Sequence, residues 1–179
     1  LRDSVFHRYA HCWRCKSPLL YRASDQWFIK VESIKDQILK ENKKVNWVPD
    51  WAGEKRFHNW IEGARDWCIS RQRFCGIPLP IWECSCGSIE VVSSLDEIAS
   101  LGVKAPEDLH KPYIDEVILK CPKCSKNMKR VPDIADVWFD SGASTWSALG
   151  YPKNKDKFSE LFPMDFITEG LDQTRGWFY

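Results

Sequence analysis

The chain has 179 residues, enough to bury one domain core or two small ones. Its 44% hydrophobic and 28% charged residues argue against a wholly disordered chain, and a formal charge of +1 rules out an overall basic pull on nucleic acid. No apolar run approaches the ~20 residues of a membrane span, and Leu1 opens no basic-then-apolar leader, so no membrane association is expected.

Three stretches follow one another. In the first, residues 1–82, Tyr9–Cys12 and Leu19–Arg22 read as short strands around a turn holding Cys12 and Cys15, and Trp27–Val31 as a further strand. Ser33 is placed to cap a helix through Lys43, with Ile34, Ile38 and Leu39 on one face. A second helix is expected from Asp50 to Arg65, where Phe57, Trp60, Ile61 and Ala64 recur at helical spacing as core positions. This stretch holds 15 Lys/Arg against 9 Asp/Glu, and the rest of the chain 11 against 16, so any polyanion contact belongs to the first stretch.

In the second stretch, residues 83–130, Ser94–Leu101 reads as a short helix closed by Gly102, and Glu116–Lys120 as a strand. In the third, residues 131–179, apolar Phe166-Ile167 reads as a buried strand ending at Glu169-Gly170, and Asp172–Arg175 as a helix start. In an open α/β sheet, ligands gather at the carboxyl ends of strands. Glu169 and Asp172 offer acceptors for an ammonium or a ribose hydroxyl, Gln173 offers both roles, and Gly170 allows close approach. Taken alone, Asp172 also fits a residue complementing a helix dipole, and Trp177 also fits a core residue.

Eight cysteines are present, six in close pairs: Cys12/Cys15, Cys84/Cys86 and Cys121/Cys124. Residues so close rarely bridge each other, whereas two thiolates on a tight turn can face one metal ion. The arrangement implies a reducing, cytoplasmic setting. Cys84, Cys86, Cys121 and Cys124 look like the two knuckles of a zinc ribbon with a closed, structural shell of four thiolates. The competing reading is free or redox-active thiols. Cys12 and Cys15 form half a site, with His7 and His11 nearby and the other half expected elsewhere on a longer chain. Cys68 and Cys75 read as small buried residues.

Five segments carry a resemblance: His11–Cys15 (HCWRC), Asp66–Arg73 (DWCISRQR), Asp136–Gly142 (DVWFDSG), Ser147–Pro152 (SALGYP) and Glu169–Phe178 (EGLDQTRGWF). In this order the chain resembles a class I aminoacyl-tRNA synthetase, most closely the isoleucyl family of the archaeal-like kind. The last segment is the most specific, since valyl and leucyl relatives lack its Asp-Gln-x-Arg-Gly-Trp reading.

The resemblance implies an α+β, partly α/β chain. Residues 1–82 would be a connective region following an editing insertion, 83–130 a zinc-ribbon module, and 131–179 the start of the second half of a Rossmann-type nucleotide-binding fold. It implies that Glu169, Gly170, Asp172 and Gln173 hold the aminoacyl-adenylate and that Trp138 and Trp177 wall the isoleucine side chain. Arg71 and Arg73 would meet the tRNA acceptor end. Cys84, Cys86, Cys121 and Cys124 would bind one structural zinc, and Cys12 and Cys15 half of another. Cys75 stands where relatives usually carry Trp.

Isoleucine, ATP with Mg2+ and tRNA(Ile) would be the partners of a monomeric intact enzyme, together with the remainder of its chain. No His-x-Gly-His or Lys-Met-Ser-Lys-Ser segment is present, so the chain alone is expected to be inactive as a ligase. An independent zinc-ribbon RNA-binding module is the alternative.

Overall fold

The computed structural model describes residues 4–179. The strands expected beside Cys12 and Cys15 reduce to one antiparallel bridge between His11 and Pro18. Pro18 has no N–H to extend the ladder. Strand β1 (Phe28–Ile29) is shorter than expected, because Val31–Ile34 already coils into a 3-10 turn. Ser33 does not cap the next helix. Its hydroxyl donates to the Lys30 carbonyl at 2.7 Å, and α1 (Lys35–Asn42) starts without a side-chain cap.

The second helix is present from Asp50, but its middle is wider than an α-helix. Ala52–Phe57 is π-helical and runs into α2 (His58–Glu62). Gly53 explains the local shape. A Cβ there would lie 1.9 Å from the Trp47 indole, so only glycine admits that ring against the helix. The Gly53 carbonyl takes the His58 N–H across the wide turn and the Asn42 amide at 3.2 Å. Asn42 in turn accepts from the Trp47 indole N–H at 2.9 Å. Phe57, Ile61 and Ala64 are buried as the spacing predicts.

Strand β2 (Trp67–Cys68) pairs with β1, and β3 (Ser70–Arg71) pairs with the later β8 (Ile134–Ala135). Between them lies a four-stranded sheet of order β5-β4-β7-β6: β4 (Ile81–Cys84), β5 (Ile89–Val91), β6 (Leu119–Lys120) and β7 (Asn127–Arg130). All these pairings are antiparallel. Helix α3 (Leu95–Ser100) is built as its sequence dictates. Ser94 Oγ accepts the Glu97 N–H, the Glu97 carboxylate returns to Ser93 N at 2.6 Å, and Gly102 closes the end at φ +76°. The expected strand at Glu116–Lys120 keeps only β6, since Tyr113–Glu116 is a 3-10 turn.

Trp82, Ile98, Ile114, Leu119 and Met128 form the core of this sheet, and the buried Trp82 indole donates to the Val117 carbonyl at 2.8 Å. A second core of Ile69, Leu79, Ile81, Val131 and Ala135 joins the sheet to β2 and β3. Arg130 stitches the two together. Its fully buried guanidinium pairs with Asp115 and donates to the carbonyls of Leu79 (3.1 Å) and Asp133 (2.9 Å).

Three helices follow: α4 (Val137–Gly142), α5 (Ser144–Ser147) and α6 (Lys155–Leu161), then a 3-10 turn over Leu171–Arg175. The buried strand expected at Phe166-Ile167 is not formed. Both residues are in coil, and Phe166 is 82% exposed. No strand among the described residues lies alongside to complete a ladder, and an apolar dipeptide alone cannot make one. The observed fold is therefore a mixed α and β chain with only antiparallel pairing among its named strands.

Candidate functional site

The four thiols of Cys84, Cys86, Cys121 and Cys124 converge, with all Sγ atoms within 4.8 Å of one another. Cys84–Cys124 and Cys86–Cys121 approach to 3.5 and 3.6 Å. A tetrahedral ion with Zn–S bonds of about 2.3 Å needs S···S edges of about 3.8 Å, so the donor set fits zinc with little movement. Neighbouring turns hold the sulfurs. The Gly87 N–H donates to the Cys84 carbonyl at 2.9 Å, and the Ser125 N–H to the Cys121 carbonyl at 2.8 Å.

The thiols perturb one another. Burial pushes the Cys121 thiol up, but the N–H groups of Lys123 and Cys124 and the adjacent thiols of Cys124 and Cys84 outweigh it and bring it to about 6. At Cys124 the Lys126 N–H lowers the thiol, while burial and the three other thiols prevail and push it up to about 12. One thiolate forms readily and resists a second beside it, as expected where a divalent cation supplies the missing positive charge.

Cys12 and Cys15 sit on a turn with the same backbone pattern as Cys121 and Cys124. The Cys12 N–H donates to the Ser17 carbonyl and the Lys16 N–H to the Cys12 carbonyl, both at 2.9 Å. The Cys121 N–H donates to the Lys126 carbonyl and the Ser125 N–H to the Cys121 carbonyl, both at 2.8 Å. Lys16 and Ser125, at equivalent positions, both have positive φ, 60° and 59°. Cys12 and Cys15 have no second thiol pair beside them among the described residues. The Ser17 hydroxyl and N–H, and then the Cys12 thiol, lower the Cys15 thiol to about 7. Cys68 is half-buried, whereas Cys75 is exposed, contrary to its expected burial. The Phe74–Gly76 bend holds it at the surface beside a cleft.

The third stretch brings two of the sequence segments together. Asp136 caps α4, accepting the Trp138 N–H at 2.8 Å, and its carboxylate also pairs with Arg71. The Trp177 indole N–H reaches back to the Ser141 carbonyl at 3.0 Å, near the end of that helix. Gly176 faces the Trp138 ring, where a Cβ would lie 3.4 Å from its edge. Trp138 is exposed and Trp177 half-buried.

Around the turn, Glu169 and Asp172 are exposed and Gln173 is half-buried. A Cβ on Gly170 would meet the Asp172 carboxylate at 2.6 Å, so the carboxylate folds over the bare backbone. Gln173 accepts the Trp177 N–H at 3.0 Å. The structure therefore groups Trp138, Trp177 and Gln173, and leaves Glu169 and Asp172 facing outward.

A cleft of about 860 Å³ opens beside this group and shares Trp138 with it; its lining also includes Arg71, Arg73, Gly76, His110 and Asp140. Arg73 is exposed at it. Arg71 is committed to Asp136 and to the carbonyls of Cys68 and Ser70, both at 2.8 Å. Sequence reasoning missed these anchoring roles of Arg71 and Asp136. The sequence shows a motif's residues but not which one faces inward.

No helix among the described residues is long and apolar enough to cross a membrane. The family model for tRNA synthetases class I (I, L, M and V) matches residues 13–179. An isoleucine–tRNA ligase of Methanopyrus kandleri is 54% identical over 99% of this chain and 18% of its own length. Those of Methanothermobacter marburgensis and Archaeoglobus fulgidus are each 56% identical over 99% of this chain and 17% of theirs. This chain thus spans under a fifth of the curated relatives it matches. A solved LeuRS of Agrobacterium radiobacter K84, in ternary complex with tRNA and LeuAMS, is 33% identical over 52% of this chain and 12% of its own, with a TM-score of 0.32. The family-model match over residues 13–179, with relatives 54–56% identical over 99% of the chain, shows that the chain belongs to the class I tRNA synthetases.

Proposed function

We propose that this chain is the part of an isoleucine–tRNA ligase that carries the structural zinc module and one wall of the aminoacyl-adenylate site. The carrying observation is 54–56% identity to isoleucine–tRNA ligases over 99% of the chain. In the whole enzyme, the isoleucine carboxylate attacks the α-phosphate of ATP, with Mg2+, and pyrophosphate leaves. The terminal ribose hydroxyl of tRNA(Ile) then takes the acyl group and AMP leaves. Such catalysis is chiefly positioning and charge stabilisation.

Within it, Glu169, Gly170, Asp172 and Gln173 bind the adenylate, and Trp138 and Trp177 wall the isoleucine side chain. The contact between the Trp177 indole and the Ser141 carbonyl supports a shared pocket, because it ties the two tryptophan segments together. Arg73 meets the tRNA acceptor end at the cleft, with Arg71 behind it. Cys84, Cys86, Cys121 and Cys124 hold one zinc, which closes the ribbon and does no chemistry. Cys12 and Cys15 take half of a second zinc site, supported by the shared turn pattern, with the other thiolates outside this chain. Residues 131–179 enter the second half of a Rossmann-type fold, where Phe166-Ile167 pairs with strands from the rest of the protein. The enzyme is a cytoplasmic monomer, a setting in keeping with eight cysteines none of which is paired in a disulfide.

The test is binding of a non-hydrolysable isoleucyl-adenylate analogue to the full-length protein by calorimetry. Tight binding that Asp172→Ala and Gln173→Ala each weaken supports the assignment. Binding unchanged in both variants refutes it. The reading as an independent RNA-binding module predicts instead that this chain alone binds tRNA tightly.

A further inference from the structure

Thr174 lies inside the signature segment yet is 1% exposed, while Asp172 and Gln173 on the same turn face outward or sideways. A 3-10 turn has three residues per turn, so the Thr174 side chain stacks back over the backbone of Leu171. The Thr174 hydroxyl donates to the Leu171 carbonyl at 2.7 Å and accepts from Arg56 Nε at 2.9 Å. It thereby closes the turn and bolts it to a residue 118 positions earlier.

Arg56 comes from the wide helical turn Ala52–Phe57. Trp47, seated on Gly53, packs against both Phe57 and Phe178, with ring centroids 5.5 and 5.4 Å apart. Trp60 on α2 meets Tyr179 edge-on at 5.8 Å, and the Arg175 guanidinium lies 5.5 Å over its ring. Trp47 and Trp60 thus hold the segment on the C-terminal side of Thr174, at Arg175, Phe178 and Tyr179. π-type turns in helices recur where a functional group must be set precisely.

We infer that Thr174 and Arg56 are positioning residues for the amino-acid-activating turn, holding Asp172 and Gln173 in their binding orientation without touching the ligand. The inference rests on the proposed function above and extends it to a pair outside the binding set. The hydroxyl does three things a methyl cannot: it accepts from a cation, donates to Leu171, and leaves no buried polar group unpaired.

The experiment uses the full-length protein in isoleucine-dependent ATP–pyrophosphate exchange, with thermal melting alongside. Thr174→Val preserves shape and removes the hydroxyl. Thr174→Ser preserves the hydroxyl. Arg56→Gln removes the cation. Losing a buried hydrogen bond to a charged group shifts an equilibrium by roughly tenfold or more. We expect Thr174→Val to raise KM for isoleucine about tenfold while KM for ATP stays within about twofold. Thr174→Ser should restore it, Arg56→Gln should reproduce the Val variant, and the double variant should be no worse than either.

Unchanged isoleucine KM in Thr174→Val and in Arg56→Gln overturns the inference. So does an equal rise in both KM values, which marks general loosening. If Thr174→Val does not fold, Arg56→Gln and Thr174→Ser decide between the same outcomes. If the wild-type protein itself shows no isoleucine-dependent exchange, the proposed function falls, and this inference falls with it. A proposed function that holds while these variants are silent sinks the inference alone.

Discussion

Arg71 and Asp136, 65 residues apart, form an ion pair whose carboxylate also caps the helix carrying Trp138. One side chain thus joins β3, the pairing of β3 with β8, and the start of α4. Asp136 is buried and its backbone N–H donates to the Ile69 carbonyl at 2.7 Å, so both its main chain and its carboxylate are held. The same pair explains why Arg71 is not a free phosphate ligand in this structure.

The pair and the cap can be separated by substitution. Asp136→Asn keeps an N-capping oxygen and loses the charge, whereas Asp136→Ala loses both. A cap contributes about 1 kcal/mol, so Asp136→Ala should destabilise by about that much more than Asp136→Asn in urea unfolding. Equal losses would show that the cap contributes nothing.

The cysteine cluster should bind one zinc per chain. Chelation, or Cys121→Ser, should loosen the sheet of β4 to β7 first, seen as hydrogen exchange rising there before it rises in α1 and α2. Exchange that rises evenly along the chain would contradict a local metal clamp.

Cys15 should be the most reactive exposed thiol of the metal-free protein, since Cys121, whose thiol lies lower still, is buried. The thiolate is the nucleophile, and the Ser17 hydroxyl and N–H, with the Cys12 thiol, bring its pKa down to about 7. Its iodoacetamide alkylation should climb through neutral pH as the proton leaves. Ser17→Ala should move the half-rise to higher pH. An identical profile in both proteins would remove the Ser17 hydroxyl as the cause.

Gly53→Ala should be costly for a glycine in a helix. Its Cβ would meet the rigid Trp47 ring at 1.9 Å, and overpacking of this kind costs roughly 1–3 kcal/mol. The Trp47 contact with Phe178 should be lost with it, visible as a change in tryptophan fluorescence. A neutral or stabilising effect would mean that Trp47 moves aside freely.

What was legible in the sequence was mostly local. Ser94, Glu97 and Gly102 specify α3 by capping and a left-handed end, and the close thiol pairs specify their own turns, so both appear as expected. What was not legible depended on distant partners. Ser33 looks like a cap, but the Lys30 carbonyl takes its hydroxyl first. Phe166-Ile167 looks like a strand, but a strand exists only beside another. The widened turn at Ala52–Phe57 follows from Trp47 and Asn42 meeting Gly53, which no periodicity announces. Within the candidate site, the Glu169–Phe178 segment carried the resemblance most specifically, while the inward turn of Thr174 and the commitment of Arg71 to Asp136 needed coordinates.

The central claim is that Trp138 and Trp177 wall a pocket for one branched side chain. The most direct measurement is ATP–pyrophosphate exchange by the full-length protein with each proteinogenic amino acid in turn, for the wild type and Trp177→Ala. Strongest exchange with isoleucine, sharply reduced by the substitution, is the predicted result. Preference for another amino acid, or isoleucine exchange untouched by losing Trp177, would contradict the account.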